Sequence, residues 1–277
     1  MHDEMRGPLA GDGGVMTLQP SVAPRAAVDL LADESALREW ITSYGAQYGT
    51  HRFPVASALA FKSYTWELID AAVGRWMSQR RVLDVSAPLV VLRCEPSGEP
   101  ELEFLDVRLT VLRDDPLAGR PGIAVVADDA ELLQVLRRTL VDGHLVQAVE
   151  AFGELRGGGD RPLWGTIAQS IGYPPATAEP ALVADRTDAV RQLLSILPAG
   201  AGDLVEFAEI NEGGGWRPLL LRRTCCYAHT LPGCAPCLTC CLLDDAGRDL
   251  AAAADGVAWR REGCGPEAEP PPSPSLS

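Results

Sequence analysis

"ASALAFKSYTWELIDAAVGRWMSQR", from Ala56 to Arg80, is the stretch that decides the fold class. Its apolar positions Leu59, Phe61, Trp66, Ile69, Val73 and Trp76 recur mostly at steps of three to five residues. That spacing follows one face of an α-helix and not the alternation of a strand. The segment is predicted to be one long amphipathic helix with a single buried stripe, and its aromatic residues read as core. Before it, "DESALREWITSYGAQYG" offers Asp33 and Ser35 as helix caps and Leu37, Trp40 and Ile41 as a second apolar face.

After it the pattern changes. "APLVVLRC" (87–94) and "LEFLDVRLTVL" (102–112) read as strands divided by the turn-forming "EPSGEP", and "GIAVVA" (122–127) follows. Asp128 or Asp129 then caps a helix through "AELLQVLRRTLVDG", and a further helix from about His144 to Leu155 ends in the glycines 157–159. "RPLWGTIAQSIGY" and "TDAVRQLLSIL" are shorter helical stretches. "DLVEFAEI" and "WRPLLLRR", joined by "NEGGG", form a predicted hairpin, and "AGRDLAAAADGVAW" a last helix. The expected class is α+β: a helix-rich single domain with a modest antiparallel sheet and a cysteine-rich loop near the C-terminus. The expected divisions are a flexible leader over 1–24, the α+β domain over 25–215, the cysteine motif region over 216–245, and a disordered Pro/Ser-rich tail over 262–277.

Composition narrows the function classes. The 277 residues are 47 % hydrophobic, enough for a sizeable core without disulfide staples, and the formal net charge is −14. An acidic surface repels nucleic-acid phosphates and anionic lipid, so neither is an expected partner. The start, "MHDEMRGPLAGDGG", lacks a basic, apolar secretory signal, and no apolar run is long enough for an integral membrane segment. A cytoplasmic location is expected, where clustered cysteines serve as metal ligands or redox groups more often than as disulfides. There is no P-loop and no strand–GxGxxG–helix unit.

Six of the eight cysteines lie between Cys225 and Cys241, in "RRTCCYAHTLPGCAPCLTCC" (222–241). Cys225 and Cys226 are adjacent; after ten intervening residues comes Cys237 and, after two more, Cys240. A C-x2-C turn brings two sulfurs to one metal, and a second pair completes a four-thiolate zinc site or the cage of an iron–sulfur cluster. Adjacent side chains diverge in an extended chain, which suits a two-iron cluster with separated ligand positions better than a single ion. Arg222 and Arg223 stand before the first ligands: guanidinium groups there would stabilise a negatively charged cluster and raise its potential, unless they simply close a strand. Trp216, Leu219 and Leu221 are candidates for its apolar wall. Cys234 and Cys241 leave alternatives open: Cys225-Cys226-x7-Cys234-x2-Cys237 is a second usable frame, and Cys241 is a substitute for Cys240.

At these residues the chain resembles the FhuF-type ferric siderophore reductases, whose C-terminal C-C-x10-C-x2-C motif binds a 2Fe–2S cluster. "LWGTIAQSI" is similar to that family's Trp-Gly-Asn-x-Ala segment at Trp164, Gly165 and Ala168, with Thr166 in place of the asparagine. His144 stands where the family often has a histidine. Where the family usually has Gly-Asp between the last ligands, this chain has Leu238-Thr239. The likeness runs weakly from about residue 30 to about residue 245. It implies Cys225, Cys226, Cys237 and Cys240 as cluster ligands, a ferric siderophore as substrate, and an external donor such as a ferredoxin or flavodoxin system. Catalysis would need no residue beyond those holding the cluster. Two other functions share the sequence features: a 2Fe–2S electron-transfer or iron-sensing protein, and a non-redox binding module held by structural zinc.

The remaining candidates have plainer readings. His229 is expected beside the loop rather than as a ligand, since a Rieske-like iron takes two histidines. His144 is expected to be a satisfied histidine rather than a substrate contact, and Trp164 a core residue. Cys94 is read as a buried strand thiol and Cys264 as a free thiol in the tail.

Overall fold

The long helix is present. In the computed structural model, α3 runs Phe53–Gln79, with Pro54 in its first turn, where a missing N–H is harmless, and Arg80 ending it in the left-handed conformation. The structure describes residues 24–94, 100–177, 185–211, 216–231, 234, 236–237 and 239–243. The expected leader up to residue 23, the last helix over 246–259 and the tail, with Cys264, lie outside these.

Leu59, Phe61, Ile69 and Val73 of α3 are buried, joined by Tyr64 and Leu68, while Trp66 and Trp76 are half-buried at its rim. Burying each such apolar side chain contributes roughly 1.5–3 kcal/mol relative to exposure. The helix α1 (Ala27–Ala32) leads into α2 (Glu34–Gln47), which packs on α3. Asp33 is the cap of α2, its carboxylate accepting from the Ala36 N–H at 3.0 Å, and Ser35 lies inside the helix. Arg25 beside the same carboxylate, together with the Ala36 N–H, holds its pKa below the ordinary value.

The strands form three small sheets and not one. Short β1 (Arg25–Ala26), β3 (Val90–Cys94) and β4 (Pro100–Phe104) are antiparallel. Strand β2 (Arg81–Leu83) pairs antiparallel with β5 (Leu109–Leu112), which pairs parallel with β6 (Ile123–Val126). The expected single strand over 102–112 is thus two, β4 and β5, in different sheets. The chain crosses between them at Leu105 and Val107, both exposed. The side chain of Cys94 lies outside the described residues.

Asp128 caps α4 (Asp129–Leu136), accepting from the Glu131 N–H at 2.9 Å. The two helices expected next are one continuous rod: α4 passes through a π-helical segment, Arg137–Leu145, into α5 (Val146–Arg156), which stops before Gly157. Helix α6 (Arg161–Thr177) packs against α3 on one side and on the other against the hairpin of β7 (Val205–Asn211) and β8 (Trp216–Arg222). Helix α7 (Arg186–Ser195) lies beside α6. The hairpin delivers the chain from the core into the cysteine loop.

Candidate functional site

The loop is closed by its own backbone. The Arg222 N–H, at the end of β8, donates to the Thr239 carbonyl at 2.9 Å, and the Cys240 N–H donates to the Cys237 carbonyl at 2.8 Å. These bonds bring the returning C-x2-C turn beside Cys225 and Cys226. Buried Leu219, Leu220 and Leu221 anchor the strand that carries it; the side chain of Trp216 lies outside the described residues.

Five thiols of the loop are free: Cys225, Cys226, Cys237, Cys240 and Cys241. Cys226 and Cys240 are buried and the other three half-buried. They touch in pairs. Contact with Cys237, and then burial, push the Cys226 thiol up to about 12, against the pull of Arg222 and Lys62. The same Cys237 lowers Cys240, while burial, with Cys225 adding to it, raises Cys241. Cys234 is held in a disulfide and is not available as a thiolate in that state. Among the described residues, no group of three or more His, Cys, Asp or Glu side chains is arranged to hold a metal ion.

Several donors aim at sulfur. Tyr227 takes the left-handed conformation (φ 61°), uncommon outside glycine, and so directs its N–H to Cys225 Sγ at 3.3 Å. Arg156 stacks on the Tyr227 ring, 5.8 Å from its centroid. His229 Nδ1 lies 3.8 Å from the same sulfur. The Thr239 hydroxyl is 3.7 Å from Cys237 Sγ, and Gln169 Nε2 donates to that hydroxyl at 3.5 Å.

The Trp-Gly-x-x-Ala segment is the part of α6 against the loop. A Cβ on Gly165 would sit 2.1 Å from Thr224 Oγ1, and one on Gly172 would sit 2.7 Å from Leu220, so glycine is what lets helix and strand approach. Ala168 is fully buried, and Trp164 is half-buried against the core, as read. Thr166 receives a hydrogen bond from Arg222 Nη2 at 2.7 Å. Arg222 is only 3 % exposed, has no ion pair among the described residues, and its Nε and Nη1 have no partner. The buried Thr224 and Ser170 hydroxyls and Gln169 Oε1 are likewise unpartnered. Arg223 is different: it is exposed, and its N–H and guanidinium bond the carbonyls of Leu204 and Asp203. Arg223 closes the strand; Arg222 does not.

No family model matches this chain, and no curated protein matches it.

His144 lies apart from the loop. It is fully buried in the π-helical segment, its Nδ1–H donating to the Val85 carbonyl at 2.6 Å and its Nε2 accepting from the Tyr64 hydroxyl. Burial lowers its pKa to about 4. It is a satisfied core histidine, and burial likewise raises the Tyr64 phenol.

The residues suit a cysteine-held cluster in the chemistry of their donors: free thiols in contact, an N–H directed at sulfur, and a buried guanidinium with no anion among the described residues. Sequence reading missed Tyr227, Gln169 and the acceptor role of Thr166. Gln169 and Thr166 were detectable in principle, lying one helical turn apart on "WGTIAQS"; nothing in the sequence marks Tyr227 for a left-handed backbone.

Proposed function

We propose that the protein is a cytoplasmic ferric siderophore reductase in which Cys225, Cys226, Cys237 and Cys240 hold a 2Fe–2S cluster. The observation that carries this reading is the buried guanidinium of Arg222, with two unpartnered nitrogens and no carboxylate partner among the described residues, in the same loop as five free thiols. An unpaired buried charge costs several kcal/mol, so the position favours a negatively charged occupant. The disulfide at Cys234 favours this ligand set over the frame that uses Cys234. No helix among the described residues is long and apolar enough to cross a membrane.

A hydroxamate or catecholate siderophore grips Fe(III) because hard oxygen donors match a small, highly charged ion. Bound, the cluster supplies one electron, and the Fe(II) so formed is held less tightly. The chain's residues need move no proton. Cys225 and Cys226 just after β8, and Cys237 and Cys240 on the returning turn, would hold the cluster. The Tyr227 N–H donates to Cys225 sulfur, the Thr239 hydroxyl stands against Cys237, Arg222 would offset negative charge, and α6 backs the loop. Half-buried Cys225 and Cys237 leave one side approachable by a chelate and by an external ferredoxin or flavodoxin donor.

The test is anaerobic purification with iron and acid-labile sulfide analysis, an EPR spectrum after dithionite, and mixing of the reduced protein with a ferric hydroxamate. Iron and sulfide in equal amounts, with reoxidation that releases Fe(II), are expected. Cys226→Ser and Cys237→Ser should lose the spectrum, and Cys234→Ser should keep it. A colourless protein carrying only zinc, or a reduced spectrum indifferent to the chelate, defeats the proposal.

A further inference from the structure

We infer that Thr166 is a positioning residue for Arg222, and that through this contact α6 sets the reduction potential of the site. The inference rests on the cluster reading above and goes beyond it by assigning the electrostatic control to one pair of side chains on two different elements.

The geometry permits one arrangement. Thr166 Oγ1 also lies 3.1 Å from the Pro162 carbonyl, one turn back in α6. Its single hydrogen is committed there, so towards Arg222 the oxygen can only accept. The β-branched side chain is stiff in a helix, which fixes that oxygen in space. Thr166 and Arg222 are both buried, 4 % and 3 % exposed. One guanidinium nitrogen is therefore anchored on α6, and the planar group is fixed there with Nε and Nη1 both unpartnered. Arg222 stands three residues before Cys225, and its own N–H bonds the Thr239 carbonyl between Cys237 and Cys240, which places this residue inside the cysteine loop. A fixed cation favours the more negative, reduced state and raises the potential. Gly165, next to Thr166, holds the helix close enough to Thr224 for the anchor to reach. Arg223 cannot do this, since it is exposed and bound to the turn at 203–204.

The experiment measures the midpoint potential by EPR-monitored titration of anaerobically loaded protein, with iron and sulfide content recorded for each variant. Thr166→Val replaces the hydroxyl by a methyl of similar shape, and Thr166→Ser keeps the acceptor. Thr166→Val should lower the reduction equilibrium by about tenfold, or ~59 mV for one electron, at unchanged iron content. Thr166→Ser should restore it. Arg222→Gln, where it folds, should lower the potential at least as far, and adding Thr166→Val to it should change nothing more. A potential unmoved by Thr166→Val, or moved equally by Thr166→Ser, overturns the inference while leaving the cluster reading intact. Absence of acid-labile sulfide from the unaltered protein defeats the cluster reading itself, and the inference falls with it.

Discussion

Two buried polar centres of this protein contrast sharply. In the core, His144 and Tyr64 are enclosed and complete, with both imidazole nitrogens engaged by the Val85 carbonyl and the Tyr64 hydroxyl. At the loop, Arg222 is almost as deeply enclosed but incomplete, with one nitrogen anchored on Thr166 and two without partners. Burial by itself does not separate structure from function. A satisfied polar group fixes a core arrangement, whereas an unsatisfied one is retained at a cost that a guest can offset.

That contrast can be broken by acid. The neutral state of His144 is favoured on folding, since burial holds its pKa at about 4 against an ordinary 6.5. The unfolded chain binds more protons between those values, so this contribution is complete above pH 6.5 and is lost as pH falls toward 4. The loss should be on the order of 3 kcal/mol, read as a falling urea midpoint, and absent in His144→Phe. The next effect has the opposite sign. Arg222→Met should stabilise the metal-free protein by about 2 kcal/mol, because it removes a buried charge that has no counter-ion among the described residues. If instead the metal-free variant is destabilised, Arg222 is satisfied in solution and the contrast disappears. The smallest effect is at Tyr64. Tyr64→Phe leaves His144 Nε2 unpaired and should cost about 1 kcal/mol in denaturant unfolding. A double variant with His144→Leu should show non-additivity, as expected of two groups in contact.

Much of the fold was legible because single-element signals are local. The extent of α3, the Asp33 and Asp128 caps and the hairpin preceding the loop all follow from spacing within one segment, whereas the first two turns of α3, Val55 to Phe61, are buried on every side rather than along a single stripe. The break between β4 and β5 was hidden because exposed Leu105 and Val107 extend the apolar pattern of a strand across the crossover. The π-helical segment was read as the junction of two helices. Its distinguishing bond, from the Val146 N–H to the Val141 carbonyl, depends on tertiary fit around His144 and leaves no mark in composition. At the candidate site, the cysteine spacing and the glycine of the tryptophan segment were readable. Which arginine is buried was not, because that depends on the partners of β8. Arg222 reaches Thr166 on α6, whereas Arg223, one residue past the end of β8, is exposed and bonded to the carbonyls at 203–204.

Gly165 and Gly172 lie two turns apart on the face of α6 that β8 covers. Thiol spacing alone is thus an incomplete recipe. A peptide copied from residues 222–241 would carry every sulfur of the loop but lose the smooth helical bed that shapes it, so transplanting this motif into another scaffold requires importing that helix as well.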